Sequence, residues 1–308
     1  MTDIILHHYP QSPVAEKVRV VLGIKSLEWR SVEIPRLPPK PDLMPLTGGY
    51  RRTPVMQIGA DIYCDSQCII RELEHRFPQA GLFPDGIGSL GWGISRWTDG
   101  PLFTSAIALV LGTAEQLPAD FAADRGQLYF GDSFNLAELQ SSVSDSLVQL
   151  RGQLYWFDQY LSSGAKYMCG SAPGLVDALV YYLVWFIRGR WQGGPEFLSQ
   201  FKMLLQWEQR IMDIGHGSFS EMTALEALEV ARASPSSTAV LADPGDPAGL
   251  VPGMTVAVTP EGDGGDPAVK GELISLSPEH VAITHSDERV GEVVVHFPKV
   301  GYRIKQLS

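Results

Sequence analysis

Apolar and polar positions in the first part of the chain change between strand-like and helix-like spacing. Short apolar runs predict strands, and apolar residues that recur every three or four positions predict helices. The predicted elements are a strand at 4–6, a helix from Ser12–Pro13 to Gly23, a strand at 28–34, a proline-rich loop, a hairpin at 55–64, and a helix at 66–77 capped by Ser66. This order indicates a mixed α/β domain of about 80 residues.

The pattern is helical through the middle of the chain. After a Gly- and Pro-containing connection at 83–93, helical spacing recurs at 94–116, 136–163, 175–189, 196–214 and 219–233. The stretch from Leu175 to Ile187 is strongly apolar, but it is too short to span a bilayer and indicates a buried core helix. The middle of the chain is therefore predicted to be an all-helical domain.

Strand-like patterning returns near the end. Residues 235–253 contain four prolines and three glycines and are predicted to be a linker. Beyond it, short β-rich runs at 255–259, 269–276, 280–284, 292–297 and 302–305 predict a small all-β domain, a barrel or a curled sheet. Because so small a domain is only marginally stable alone, we expect it to pack on the helical domain. The predicted domains are 1–82, 83–234 and 254–308.

Charge and cysteine content narrow the function classes. The net charge is −11 and the sequence has no cluster of Lys and Arg, which argues against nucleic acid and anionic membranes as partners. The N-terminus lacks the basic region and long apolar stretch of a secretion signal. Cys64, Cys68 and Cys169 form no even framework and no CxxC pair. We therefore expect a reduced, cytoplasmic setting.

The first candidate for chemistry is Ser12. It lies between a predicted strand and a helix N-terminus, where backbone N–H groups and the positive end of the helix dipole favour an anion such as a thiolate. The same serine would serve equally as an ordinary N-cap, because Pro13 follows it at the first helical position.

Two further features accompany it. Pro54 begins a predicted strand, and most X-Pro bonds are trans, so this residue alone carries little information. Asp65 and Ser66 open a predicted helix, where Ser66 can donate hydrogen bonds to a carboxylate and Asp65 can bind an ammonium group. Together the two residues could bind the α-carboxylate and the α-ammonium group of an amino acid. A simple capped helix also explains the Asp65–Ser66 pair.

Taken together, in this order and spacing, these features resemble the glutathione transferase superfamily. The resemblance covers the α/β half closely and the helical half in outline. It implies a thioredoxin-like N-terminal domain, a cis bond at Pro54, the backbone of Thr53 pairing with the cysteinyl part of glutathione, and Asp65 and Ser66 holding its γ-glutamyl end. Ser12 stands at the position that faces the sulfur in the serine-type classes.

The resemblance also implies an activity. Such enzymes activate the thiolate of glutathione, their co-substrate, for attack on a small hydrophobic electrophile, need no metal, and usually form homodimers. Tyr9 is the rival for the role of Ser12, since some classes use a tyrosine near this point. The cations Lys40, Arg51 and Arg52, Arg52 foremost, are candidates to meet the glycine carboxylate of glutathione, or are simply solvated.

Other functions stay open. A serine where cysteine-type members carry a cysteine argues against mixed-disulfide reductase chemistry. The main alternative is a non-catalytic binding or scaffold protein with the same fold. A glutathione-dependent isomerase, dehalogenase or peroxidase is a third reading, because sequence reads the electrophile pocket poorly.

The remaining polar motifs have structural explanations. The segment 170–178 resembles the family's capping motif, but Gly174 holds the cap position and cannot accept the N3 amide hydrogen bond. Asp177 is then expected to keep only its bond back to the cap amide. His216 is expected in a turn between helices, and His7–His8 lacks the further ligands of a zinc site. Cys64 and Cys68 are interpreted as small buried hydrophobes.

Overall fold

A computed structural model describes residues 3–84, 88–262 and 264–307 of the chain. Residues 1–2, 85–87, 263 and 308, which include part of the expected connection at 83–93, lie outside the described residues. The chain divides into two compact units. The first comprises the described residues within Met1–Ala15, Glu28–His75 and Ser218–Ser308, and the second those within Glu16–Leu27 and Arg76–Gly217.

One mixed sheet organises the first unit. Its strands are β1 (Ile5–His8), β2 (Glu28–Glu33), β3 (Val55–Ile58), β4 (Asp61–Cys64), β5 (Ser218–Glu221), β6 (Thr255–Pro260), β7 (Val269–Leu276), β8 (His280–Asp287), β9 (Gly291–Pro298) and β10 (Tyr302–Gln306). Their spatial order is β10-β6-β7-β8-β9-β4-β3-β1-β2-β5. The N-terminal helices are α1 (Pro13–Ile24), α2 (Met44–Thr47) and α3 (Ser66–Arg76).

The N-terminal part has the expected thioredoxin-like arrangement. Strand β1 pairs in parallel with β2 and antiparallel with β3, and β3 and β4 form the hairpin expected from the sequence. The parallel β1–β2 pair needs a crossover, which α1 provides. The α/β fold class predicted for this region is therefore confirmed.

The C-terminal strands extend this same sheet. Strand β9 pairs in parallel with β4, with Asp61 opposite Val294 and Tyr63 opposite His296. Buried Ile62 and Val55 share one apolar cluster with the C-terminal strands, for example with Phe297. The expectation that residues 254–308 pack on the helical domain is therefore wrong. Within the N-terminal strands alone, the side of β4 that faces away from β3 would leave its backbone N–H and C=O groups unpaired. Strand β9 pairs with these groups.

The start of the expected linker is fixed to β4 as well. The buried carboxylate of Asp61 accepts hydrogen bonds from the backbone N–H of Ser237 at 2.9 Å, from its hydroxyl at 2.7 Å, and from the hydroxyl of Thr238 at 2.8 Å. Burial alone would raise the pKa of Asp61, but the hydrogen bonds from His296, from the Ser236 hydroxyl and from Ser237 outweigh it and hold the pKa well below its usual value. Residues 236–238 are therefore anchored.

The second unit is helical, as expected. After a 3₁₀ turn at Gly88–Leu90 come α4 (Gly91–Trp97), a π-helical turn at Thr98–Leu102, α5 (Phe103–Gly112), α6 (Ala119–Phe130), α7 (Leu136–Ser141), α8 (Val143–Ser162), α9 (Leu175–Arg190), α10 (Gly194–Leu198) and α11 (Lys202–Ile214). Most of α9 is buried, which confirms the predicted core helix. Among the described residues, no helix is long and apolar enough to cross a bilayer.

Some predicted helix bounds were wrong. The helix expected at 94–116 is broken by the π-helical turn, where Gly100 leaves helical geometry ahead of Pro101. The helix expected at 219–233 begins as strand β5, and α12 (Ala224–Ala233) starts only after Thr223, whose side chain closes a capping box with Glu226. Helix α6 was missed.

The cap of α9 is better satisfied than expected. Asp177 accepts four bonds, from the backbone N–H groups of Gly174 at 2.9 Å, Met168 at 2.7 Å and Cys169 at 3.3 Å, and from the Trp207 indole at 2.7 Å. The expectation that Asp177 keeps only its backward bond is therefore wrong. A Cβ at position 174 would lie 2.5 Å from the carbonyl oxygen of Leu82, which explains the glycine.

Candidate functional site

Strand register brings the three candidate features of the sequence, namely Ser12, Pro54 and the Asp65–Ser66 pair, to one end of strands β1, β3 and β4. His7 lies opposite Val55 in the antiparallel β1–β3 pair, and Val55 lies opposite Cys64 in the β3–β4 pair. The segment after β1, the segment before β3 and the segment after β4 therefore lie at the same end of these three strands. Ser12, the Thr53–Pro54 step and the Asp65–Ser66 pair occupy these three segments.

Ser12 caps helix α1. Its Oγ accepts the backbone N–H of Ala15 at 3.2 Å, and its own backbone N–H donates to the carbonyl of Tyr9 at 3.1 Å. The Ser12 side chain is buried at the helix N-terminus. Tyr9 is also buried directly after β1, and its ring lies under the guanidinium of Arg36 at 5.9 Å. Both candidates for contact with sulfur thus lie in the segment that joins β1 to α1.

The Thr53–Pro54 peptide bond is cis, as the resemblance implied. The ammonium group of Lys40, which is almost fully buried, donates to the hydroxyl of Thr53 at 2.9 Å and to the carbonyl of Arg51 at 2.9 Å. Lys40 therefore brings a buried positive charge to the segment that would pair with the ligand backbone.

Asp65 rather than Ser66 caps helix α3, which corrects the expectation. Asp65 has a positive φ of 76°, and its Oδ1 accepts the backbone N–H of Gln67 at 2.8 Å. Ser66 is the first helical residue and is buried. The other carboxylate oxygen of Asp65 accepts the hydroxyl of Tyr302 at 3.1 Å. Position 65 thus carries a negative charge beside the N-terminus of α3.

The two arginines before Pro54 already have a carboxylate partner. Arg52 donates through Nε to Oδ2 of Asp266 at 2.9 Å and also through Nη2, and Arg51 Nε lies 3.5 Å from Oδ1 of Asp266. Burial alone would lower the pKa of Arg52, but the hydrogen bonds and charge of Asp266 raise it above its usual value. In the structure, Arg52 therefore forms an ion pair with the carboxylate of Asp266, whereas the sequence offered it as a candidate partner of the glycine carboxylate of glutathione.

Sequence reasoning missed the site contacts made by the C-terminal strands. Asp266 lies in the loop between β6 and β7, and Tyr302 is the first residue of β10. The hydroxyls of Tyr302 and Tyr50 lie 3.3 Å apart, and burial raises the pKa of both phenols well above its usual value. The strand pattern located Tyr302 on a strand, but it contained no signal for a contact with Asp65.

The other candidate groups have structural roles. Burial raises the pKa of the Cys64 and Cys68 thiols well above its usual value, which suits small buried hydrophobes. His7 and His8 bond to Gln57 and Ser31 at 2.9 Å each. Among residues 3–84, 88–262 and 264–307, no group of His, Cys, Asp and Glu is arranged to hold a metal ion.

His216 is part of an ion-pair cluster in the helical unit. Its Nε2 lies 2.9 Å from Glu16, which also pairs with Arg19 at 2.7 Å. Burial alone would raise the pKa of Glu16, but His216 and Arg19 lower it below its usual value. These contacts give His216 a structural role, in agreement with the turn expected from the sequence.

Known proteins match both the site region and the whole chain. Residues 6–81 match the family model described as the N-terminal domain of glutathione S-transferase. The crystal structure of a GST-like protein from Pseudomonas syringae is similar with a TM-score of 0.83 and 34% sequence identity, over 100% of this chain and 100% of that chain. That likeness includes the C-terminal strands.

More distant structures share the fold alone. Glutathione S-transferase III in its apo form has a TM-score of 0.51 at 18% identity, over 68% of this chain and 91% of its own. A tau-class glutathione S-transferase from mango has a TM-score of 0.54 at 14% identity, over 74% of this chain and 96% of its own. No curated protein matches the chain.

Proposed function

The chain belongs to the glutathione transferase superfamily, and from that premise we propose that it binds glutathione and activates the thiolate for attack on a small hydrophobic electrophile. One observation carries the proposal. Three features lie together at one end of β1, β3 and β4, and they are Ser12, the cis Thr53–Pro54 bond and the Asp65–Ser66 pair. In this proposal glutathione is a co-substrate that leaves as a conjugate.

The binding role assigns each end of the γ-glutamyl group a partner. Asp65 supplies the negative charge for the α-ammonium, and the Ser66 hydroxyl and backbone N–H at the start of α3 suit the α-carboxylate. The backbone of Thr53 pairs with the cysteinyl residue, a role supported by the cis bond that follows it. The sulfur then points toward the segment that contains Ser12.

The energy that Ser12 must supply is modest. A free thiol has a pKa of about 8.5, and lowering it by about two units takes roughly 2.7 kcal/mol of preference for the thiolate. A hydrogen bond to a charged group contributes roughly 1.5 to 3 kcal/mol, and a helix N-terminus adds roughly 0.3 to 1 kcal/mol. The cap bond from Ala15 is accepted by a lone pair of Oγ, so that bond does not itself use the hydroxyl hydrogen.

The catalytic role is tested by Ser12→Ala, with Tyr9→Phe as the rival variant. We expect Ser12→Ala to raise the pKa of the bound glutathione thiol by about two units and to lower kcat/KM for a thiol-reactive electrophile roughly a hundredfold. The Kd of glutathione should change little. Thiolate absorbance against pH and steady-state kinetics measure these effects. If Tyr9→Phe abolishes turnover and Ser12→Ala does not, the assignment to Ser12 is wrong.

A second candidate is glutathione binding without turnover. The burial of Ser12 and its use as an N-cap favour it, because the cap bond positions the hydroxyl for the helix rather than for a ligand. Both functions predict that glutathione raises the melting temperature. Only an enzyme would also consume a panel of small electrophiles, so loss of electrophile and of free thiol at a matched rate distinguishes the two.

A further inference from the structure

Strand β5 leaves one side of its backbone unpaired at the end of the mixed sheet. It is the outermost strand, and among the described residues it pairs only with β2. The N–H of Met222 donates to the carbonyl of Ser31 in β2, so by alternation the backbone groups of Phe219 and Glu221 point away from β2. All four residues of β5 are exposed. The outward N–H and C=O groups are therefore accessible to a further strand.

An open cavity of about 260 Å³ lies beside β5. Its lining includes the charged residues Asp3, Glu28 and Arg30 and the aromatic residues Trp29 and Phe219. Arg30 is paired with Asp3 at 3.0 Å, whereas the exposed Glu28 has no ion pair or hydrogen bond of its side chain within residues 3–84, 88–262 and 264–307. With two carboxylates against one guanidinium, the cavity offers a net negative charge beside apolar surface.

The side chains around β5 favour a basic strand as the occupant of this edge. Ser218 lies opposite Glu28 and Ser220 opposite Arg30, so only short side chains separate Glu28 from the open edge. A strand docked on β5 would lie about 10 Å from β2, a distance that a lysine or arginine side chain and Glu28 span together. The aliphatic stem of such a side chain suits the aromatic lining, and its cationic head suits the carboxylate. Glu221 adds a further negative charge on β5 itself.

The other outermost strand of the sheet has the opposite charge. Strand β10 carries Arg303 and Lys305, both exposed, which would repel a basic segment. The β10 strand of a second copy could pair with β5, but such a head-to-tail contact builds rings or open filaments. A segment of a separate partner covers the edge of β5 once and ends the sheet there.

We propose that β5 is a docking site for an extended, basic segment of a partner protein, which adds a strand to the sheet and places a lysine or arginine side chain beside Glu28. Its main chain bonds to Phe219 and Glu221. An apolar side chain on the other face packs on the exposed ring of Phe219, which lies 4.7 Å from the ring of Trp29. This surface lies at the beginning of β1 and β2, whereas Ser12 follows the end of β1, so it is separate from the proposed glutathione site.

Three short capped peptides titrated calorimetrically into the full-length protein test the docking surface. The first alternates lysine and valine, the second alternates glutamate and valine, and the third is the lysine peptide with all its main-chain amides N-methylated. We expect the first to bind saturably with a Kd below about 1 mM, and the other two at least about tenfold more weakly. Failure of the lysine peptide to bind at about 1 mM, or equal binding of the N-methylated or the glutamate peptide, would overturn the proposal.

Two pairs of variants assign the binding to β5. Glu221→Pro removes an outward main-chain donor at a sheet edge, where proline is tolerated, and Glu221→Gln is its control because it removes the charge alone. We expect the proline variant to bind the lysine peptide roughly tenfold more weakly than the glutamine variant. Glu28→Gln should weaken binding roughly threefold to tenfold, whereas Glu292→Gln, at an exposed position on β9, should leave the Kd unchanged.

Wild-type affinity for the lysine peptide in folded Glu28→Gln, or equal affinities of Glu221→Pro and Glu221→Gln, would contradict the assignment. Sedimentation velocity distinguishes the other occupant of the edge. Self-association of the wild-type protein that Glu221→Pro abolishes would identify a second copy of the chain on β5 and would overturn the proposal.

Discussion

At the scale of single residues, two contacts from the C-terminal region reach the proposed ligand site. Tyr302 donates to Asp65 from 237 positions away, and Asp266 binds Arg52 from 214 positions away. Each contact fixes a charged side chain in place before a ligand arrives, which lowers the entropy cost of binding. The first of them concerns position rather than chemistry, because the hydroxyl of Tyr302 bonds to Asp65, the residue proposed to hold the γ-glutamyl end.

Tyr302→Phe should therefore weaken binding without slowing chemistry. Loss of one hydrogen bond to Asp65 is expected to raise the Kd and KM for glutathione roughly threefold to tenfold while kcat stays unchanged. Tyr63→Phe is the matched control, since its hydroxyl bonds to Glu72 at 3.0 Å on another part of the unit. Equal effects of the two variants would contradict a positioning role for Tyr302.

A buried histidine should make stability depend on pH. Burial lowers the pKa of His7 to about 4, although the hydrogen bond to Gln57 opposes the shift. Below about pH 6.5 the unfolded chain binds a proton that the folded protein refuses, so stability falls as the pH drops from about 6.5 to about 4. The expected loss is roughly 3 kcal/mol from this residue. His280, whose pKa is lowered to about 3 by burial and by His296, acts in the same direction.

Urea unfolding between pH 4 and 7 measures this dependence. His7→Gln keeps a donor at the position and removes the titrating group, so the pH dependence should become shallower. The exposed His75 provides a control, and His75→Gln should keep the wild-type slope. An unchanged slope in His7→Gln would show that other groups dominate.

Local sequence rules indicated the helix starts that carry the N-terminal candidate residues, because the contacts that form these helix starts are local. The helix start after Ser12 and the helix start at Asp65–Ser66 depend on caps within three positions, and turn and cap signals reveal these. The bonds to Tyr302 and Asp266 depend on strand pairing across the whole chain. No pattern within a short window specifies such a partner.

At the scale of elements, helix α9 shows how packing overrides a local preference. A serine or threonine at its cap would gain one hydrogen bond worth about 1 kcal/mol. At position 174, however, any Cβ would come within 3 Å of Leu82, Pro84 and Cys169. Asp177 compensates by collecting donors from the preceding loop and from Trp207.

Gly174→Ala and Gly152→Ala should therefore have opposite effects on stability. The first adds a Cβ against the backbone carbonyl of Leu82 and is expected to cost roughly 1 to 3 kcal/mol. The second lies within α8 with open space around the added Cβ, and should stabilise the protein by roughly 0.5 to 1 kcal/mol. Thermal melting of both variants tests this. A Gly174→Ala protein at least as stable as the wild type would contradict the close approach.

Strand and helix prediction succeeded where the apolar period was long and failed in short or interrupted segments. The run at 269–276 coincides with β7, and the helix at 175–189 is only one residue shorter than α9. At 219–221 a short polar segment preceding a helix was included in that helix, because four residues are too few to establish a period. Gly100 and Pro101 likewise interrupted a helix without ending the apolar pattern.

At the scale of the whole chain, the first unit depends on both ends of the sequence. Strand β9 covers the edge of β4, and the buried cluster draws residues from β1 to β4, from α12 and from the C-terminal strands. The sequence predicted the individual C-terminal strands well. It could not predict that β9 pairs with β4, because the apolar pattern of a short hairpin does not show which side of a strand is left without a neighbouring strand.

Deleting residues 254–308 should therefore unfold the first unit rather than leave a smaller stable protein. The deletion exposes the edge of β4 and the apolar faces of Ile62 and Val55. Circular dichroism and thermal melting of the truncated chain should show loss of the cooperative transition. Deleting only residues 307–308, beyond β10, is the control. A truncated chain that melts as the wild type does would show that the C-terminal strands are an independent addition.

The proposed glutathione site depends most on Asp65, and calorimetric titration with glutathione tests it most directly. We expect saturable binding to the wild-type protein. Asp65→Asn removes the charge but keeps a side chain able to cap α3, so it should weaken binding roughly tenfold or more without lowering the melting temperature. Absence of binding at millimolar glutathione, or wild-type affinity in Asp65→Asn, would contradict the proposed site.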